Sequence, residues 1–169
     1  MPGQCMPLFE YQFPARTAEA DGKPITISPS AHLQYFGPAL EVVISPTPQH
    51  LEALASQDAP APTPFQGLAL IDTGASITTV DETICKTLGL KPTGYQKVAH
   101  AGGFSERPCF AVQIMFPNTP FPAPLFHPRV ASVDLQYGNP RYALLLGRDL
   151  LARLKLVYNG VAGRFELAI

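Results

Sequence analysis

Three compact apolar runs stand out along the chain, at residues 40–44, 65–71 and 143–146. Each is short, consists mainly of Leu, Ile, Val, Ala or Phe, and is bounded by Gly, Pro or polar residues. Such runs are typical of strands buried on both faces. Residues 155–169 add two further apolar segments around Asn159-Gly160, a pair that favours a tight turn between antiparallel strands.

Only short stretches of the chain have apolar residues at the spacing expected for a helix. Residues 79–88 combine capping-box spacing with apolar positions four apart, and Gly89 follows as a stop, so we expect a two-turn helix there. A second short helix is predicted at residues 150–154, and residues 50–55 are compatible with another. The predicted fold class is therefore all-β, β-rich with one or two short helices.

Two further strands are predicted at residues 95–99 and 108–116, on either side of a loop at residues 100–107. The adjacent glycines Gly102 and Gly103 lie in this loop, which makes a mobile hairpin the expected structure. Residues 118–128, rich in proline, are predicted to form a surface loop.

The length of 169 residues and the 46% apolar content suit one packed core. Residues 1–36 have no sustained period, and we interpret them as an N-terminal arm that is ordered by docking. Residues 37–169 form the predicted domain, with a proline-rich insertion at residues 45–64. The 19 prolines discourage long helices throughout.

The formal net charge of −1 disfavours a nucleic-acid partner. No apolar run approaches the roughly 20 residues that cross a bilayer, so no membrane partner is expected. Cys5, Cys85 and Cys109 are widely spaced and fit a reducing, cytoplasmic location, with the last two as small core residues. The four histidines have no mutual ligand spacing, so neither a metal site nor a cofactor is predicted.

The apolar run at residues 65–71 ends at Asp72-Thr73-Gly74-Ala75, and the run at residues 143–146 ends at Gly147-Arg148-Asp149. A carboxylate at the end of a buried strand has a fixed position in a partly dry place. Gly74 lets backbone amides turn toward its oxygens. Taken alone, an Asp in this position is more often a turn or helix-cap residue; together with the second motif, Asp72 becomes the candidate catalytic residue.

In this order, with a glycine-tipped hairpin between them, the two motifs resemble those of the retropepsin-like aspartic proteases, the retroviral type and its bacterial relatives. The resemblance covers roughly residues 37–169. It implies a closed acid-protease barrel with one lobe per chain and an endopeptidase activity on a peptide or protein substrate, without metal or organic cofactor.

Hydrolysis of this kind needs two carboxyls in different protonation states. The chain has one Asp-Thr-Gly, so the second carboxyl is expected to be Asp72 of another copy, in a homodimer whose dyad shares one proton. By resemblance, one Asp72 activates water while its mate protonates the scissile carbonyl. Thr73 would hydrogen-bond across the dimer, and Gly74 and Ala75 would line the cleft.

The resemblance also makes His100, Ala101, Gly102, Gly103 and Phe104 the flap that closes over the substrate.

Gly147 and Arg148 are expected to be structural residues, with Arg148 bracing the active-site loop or the interface. Ser76 stands where many retroviral enzymes have an acidic partner for this arginine, so the partner of Arg148 stays open. Asp149 is interpreted as a helix-start residue.

Other classes of function are compatible with the same residues. The fold could serve as a catalytically silent, dimeric peptide-binding module, or as an assembly domain in which Asp72 only caps a turn. An apolar strand followed by Asp and Thr-Gly also opens nucleotide-binding phosphate loops, but those require two such domains and a far longer chain.

Overall fold

A computed structural model describes residues 8–20, 23–100, 102–121, 124–136 and 141–168, leaving aside the side chains of Ala20 and His100. The strands are β1 (Leu8–Gln12), β2 (Arg16–Ala20), β3 (Lys23–Ile27), β4 (Ala39–Ser45), β5 (Phe65–Ile71), β6 (Thr79–Asp81), β7 (Gly94–His100), β8 (Gly103–Met115), β9 (Leu125–Val133), β10 (Leu144–Leu146), β11 (Lys155–Asn159) and β12 (Arg164–Ala168). The helices are α1 (Pro29–Phe36), α2 (Pro48–Ala55), α3 (Glu82–Thr87) and α4 (Arg148–Leu151). The described part of the chain is β-rich, as predicted.

Seven strands form the main sheet in the order β4-β5-β10-β6-β9-β8-β7. Strand β8 also pairs with β4, through Ile44 opposite Ile114, so the order of hydrogen-bonded strands returns to its start. The core lies against this sheet and consists mainly of Leu, Ile and Val; its largest fully buried members include Leu33, Ile44, Ile84, Leu88, Ile114, Leu144, Leu146, Phe165 and Leu167.

The N-terminal segment is built onto the C-terminal hairpin. Strand β1 pairs antiparallel with β12, with Leu8 opposite Ala168, and β11 completes a three-stranded sheet. Strands β2 and β3 form a separate hairpin, and α1 begins at the N-cap Ser28, whose Oγ accepts the Ala31 N–H at 3.1 Å. Strand β1 is thus ordered by a partner far along the chain, whereas β2 and β3 pair with each other.

The strands predicted from the apolar runs are confirmed as β4, β5, β10 and the β11–β12 hairpin. The prediction of one or two short helices is wrong, because the described residues contain four. The helix predicted at residues 79–88 begins only at Glu82. Its cap is Asp81, whose Oδ1 accepts the Thr83 N–H at 2.9 Å, while Thr79 lies in β6.

Two predicted loops are also wrong in their bounds. The pairing of β7 with β8 continues to His100 opposite Gly103, so strand pairing covers most of the loop predicted at residues 100–107. Strand β9 begins at Leu125, inside the surface loop predicted at residues 118–128, because this proline-rich stretch pairs with β8.

Among the described residues, no helix is both long enough and apolar enough to span a membrane.

Candidate active site

Strands β5 and β10 run parallel, with Ile71 opposite Leu146. The residues that follow them therefore emerge at the same edge of the sheet, which brings the Asp72 loop next to Gly147. The Asp72 N–H donates to the Leu146 carbonyl at 3.1 Å, and the Arg148 N–H donates to the Ala75 carbonyl at 3.0 Å. The two motifs singled out in the sequence are thus neighbours in the fold.

The Asp72 carboxylate is half-buried and has two unlike oxygens. Its Oδ1 accepts backbone N–H groups from Gly74 at 2.8 Å and from Ala75 at 3.3 Å. Within the described residues, Oδ2 accepts no hydrogen bond. A Cβ on Gly74 would lie 3.0 Å from Asp72 Oδ1, so glycine allows this close approach. The loop fixes one oxygen and leaves the other available.

The Arg148 side chain holds this loop by hydrogen bonds to its backbone. Its Nη1 donates to the Thr73 carbonyl at 2.6 Å and to the Gly74 carbonyl at 3.0 Å. The partner left open by the sequence is therefore the loop's own backbone. Thr73 and Gly74 are exposed, and the Thr73 hydroxyl has no partner among the described residues.

Asp149 joins the two motifs from the α4 side. Its carboxylate accepts the Thr78 N–H at 2.8 and 3.0 Å and the Thr78 hydroxyl at 2.7 Å, and Oδ1 also accepts the Leu150 N–H at 2.9 Å. The Gly147 N–H donates to Thr78 Oγ1 at 3.1 Å. Asp149 is a helix-start residue, as expected, and it also anchors the far end of the Asp72 loop.

His127, on β9, extends this network. Its side chain is buried, its Nδ1 accepts the Arg129 N–H at 3.2 Å, and its Nε2 lies 3.2 Å from Asp149 Oδ2. Because Nδ1 accepts, the ring proton sits on Nε2 and is donated to Asp149. His127, Asp149 and Thr78 form a cluster that supports the loop without touching Asp72.

Burial lowers the pKa of His127, and it outweighs the nearby Asp149 carboxylate, which raises it. Arg153 acts in the same direction as burial. For Asp149, burial raises the pKa, but the hydrogen bonds from Thr78, the charge of His127 and the Leu150 N–H together bring it below its ordinary value.

Both shifts predict a loss of stability in acid. A depressed pKa means that the unfolded chain takes up the proton first. The His127 contribution is complete above its unfolded value of about 6.5 and is lost as the pH falls through its lower folded value. The Asp149 contribution is lost in the same way below about 3.8. We expect the midpoint of thermal unfolding to fall from pH 7 to pH 5, and His127→Gln to flatten that slope.

Circular dichroism melts between pH 4 and pH 8 measure this slope. An unchanged slope in His127→Gln would contradict the assignment.

The predicted flap residues lie at the tip of the β7–β8 hairpin. Gly102 and Gly103 are exposed, and Gly103 has a φ of +116°, which an L side chain rarely adopts. Phe104 is 67% exposed, with Lys97 Nζ 4.6 Å from its ring centroid. Ala101 lies outside the described residues. Of His100, only the backbone, paired with Gly103, is described.

The described hydrogen bonds of Asp72 go to Gly74, Ala75 and Leu146, and none reaches this hairpin.

In the described part of the chain, no group of three or more His, Cys, Asp or Glu residues could hold a metal ion. Cys85 and Cys109 are buried, free thiols, as expected of small core residues, and burial raises the pKa of Cys85 to about 12. Cys5 lies outside the described residues.

Sequence reasoning missed Thr78 and His127 as supports of the site. Each is a single polar residue in an ordinary context, and its partner lies on another strand or helix. The sequence contains one indirect indication of this cluster. The compact apolar run before Gly147 predicts a buried strand, and that strand lies next to β5.

No protein-family model matches the chain. No curated protein matches it either.

Proposed function

We propose that the protein is an aspartic endopeptidase of the retropepsin-like type, with a site built from the Asp72 carboxyls of two identical chains. The observation that carries this proposal is the asymmetry of the carboxylate: two backbone N–H groups hold Oδ1, and Oδ2 has no partner within the described residues. A carboxyl held in this way can take a proton from water or give one to a carbonyl.

The hydrogen bonds of two other carboxylates, Asp149 and Asp81, support a second acid from a partner chain. Asp149 is saturated by Thr78, Leu150 and His127. Asp81 is fully buried and accepts from Thr83 and from the Leu135 N–H, which hold its pKa below the ordinary value although burial raises it. Neither is available for proton transfer beside Asp72.

The surface around Asp72 is suited to such a partner. Thr73 and Gly74 are exposed, and a two-fold axis at this loop would bring the two carboxylates together. It would also give a partner across the axis to the Thr73 hydroxyl, which has none among the described residues. The ring of strand pairings through β4 and β8 supports a closed acid-protease barrel behind it. The β7–β8 tip would then act as the flap over the substrate.

Dilution tests the shared site. If the site forms only between two chains, activity on a dye-quenched casein should fall with the square of protein concentration below the dimer dissociation constant. Sedimentation on the same samples gives the fraction of dimer. Constant specific activity in samples that contain only monomer would rule out the shared site.

Mixing gives an independent readout. Excess Asp72→Asn chain should suppress wild-type activity, because most wild-type chains then sit in mixed dimers with one ionisable carboxyl. Asp58→Asn, in an exposed loop, is the matched control and should not suppress it. A dimer that binds peptide but cleaves none would favour the silent peptide-binding module instead.

A further inference from the structure

A cavity of about 200 Å³ lies between the N-terminal segment and the main sheet. Its walls are mostly aromatic and come from β1, α1 and the residues around them: Tyr11, Phe13, His32 and Phe36, with Tyr142 opposite. The Tyr142 hydroxyl donates to the Phe36 carbonyl, which ties α1 to the segment before β10. Leu68 of β5 also lines the cavity, four residues before Asp72, so the cavity and the candidate active site are separate.

His32 is the buried polar group of this cavity. Its residue is 4% exposed, and its ring meets those of Phe13 and Phe36 edge-on, with centroids 6.1 and 5.8 Å apart. Among the described residues, neither ring nitrogen has a hydrogen-bond partner. Neither ring nitrogen is among the fully buried, unpartnered polar atoms of the described residues, so the ring keeps a polar edge open to the cavity, and an imidazole carries at least one N–H donor in every protonation state. The ring can therefore donate a hydrogen bond to a ligand in the cavity.

Arg16 gives the cavity its charge. The guanidinium is exposed at the cavity's edge and makes no ion pair with any described residue, and the described lining contains no Asp or Glu. Arginine has five N–H donors in a planar fork that matches a carboxylate. The polar groups of Arg16 and His32 are thus complementary to an anion, and the rest of the lining to an aromatic ring.

We propose that this cavity binds a small monocyclic aromatic carboxylate, with its ring among Phe13, Phe36 and Tyr11 and its carboxylate on Arg16 and His32. The volume supports one ring, because an apolar cavity of about 150 Å³ already accommodates benzene. The same chemistry occurs in a free aromatic acid and at the C-terminus of a peptide ending in Phe; the volume favours the free acid. This proposal does not depend on the peptidase activity.

Phenylacetate is the probe, titrated into the full chain with isotope-labelled histidines and followed by NMR. The His32 ring signal, identified by its loss in His32→Phe, should shift saturably with a Kd below about 1 mM. The signals of His50 and His127 should not shift. Phenylacetamide, the neutral isostere, and acetyl-glycyl-phenylalanine should each bind at least about tenfold more weakly.

Arg16→Gln should weaken phenylacetate binding at least about tenfold, as read from the same His32 signal. Arg16 is exposed, so this variant keeps the fold, and Lys91→Gln is the matched control with wild-type affinity. Equal affinity for the neutral isostere, an unaffected Kd in Arg16→Gln, or no saturable shift up to 20-fold above the expected Kd would overturn the proposal. Tighter binding of the peptide would overturn the assignment to a free acid.

Discussion

Asp72→Asn is expected to leave a folded chain with peptidase activity about a thousandfold below the wild-type level. The carbonyl oxygen of asparagine can replace Oδ1 as the acceptor for Gly74 and Ala75, so the loop keeps its hydrogen bonds. The amide nitrogen replaces only Oδ2, the oxygen without a described partner. The substitution thus removes the proton-transferring group and little else.

Initial rates of casein cleavage at equal protein concentration measure this loss, with a thermal melt of the same sample to establish folding. Asp58→Asn should cleave at the wild-type rate. Activity near the wild-type level in Asp72→Asn would show that the catalytic group lies elsewhere.

Gly147→Ala is expected to lower the free energy of unfolding by about 3 kcal/mol or more. A Cβ at Gly147 would lie 2.3 Å from the Ile77 carbonyl carbon, 2.5 Å from its oxygen and 2.6 Å from the Thr78 nitrogen. These are backbone atoms and cannot move aside as a flexible side chain would. The φ of −83° shows that the cost comes from crowding and not from a left-handed conformation.

Urea unfolding gives the free-energy difference. Gly94→Ala is the control, because its added Cβ would meet nothing within 4 Å, and it should change stability by less than about 0.5 kcal/mol. A loss below 1 kcal/mol in Gly147→Ala would mean that the two loops separate without cost.

The sequence predicts the central strands because they are compact apolar runs. Strands β5 and β10 consist almost entirely of apolar residues, which leaves few alternatives to a core strand. Strand β9 is not predicted from the sequence because Pro128 and Arg129 interrupt its apolar pattern. It forms mainly by pairing with β8, which the local sequence does not show. The helix α1 escapes because its buried residues are only His32 and Leu33.

The sequence predicts the residues at the centre of the site but not the contacts that support them. Asp72 and Gly147 each follow an apolar run, so their positions at strand ends can be read from local sequence. The bond from Asp149 to Thr78 spans 71 residues and depends on how β10 inserts between β5 and β6. No local pattern encodes such a pairing.

The bracing of the Asp72 loop by Arg148 has a consequence for the order of events during protein synthesis. The two ends of this contact are 75 residues apart, which a ribosome takes roughly 4 to 15 seconds to add. Until then β5 has only its antiparallel neighbour β4, and the loop lacks its hydrogen bonds to Leu146 and Arg148. The pairing of Leu8 with Ala168 comes later still. In a nascent chain, the Asp72 loop therefore acquires its full set of hydrogen bonds late in synthesis. Among the described strands, β1 has the longest interval between its own synthesis and that of its partner.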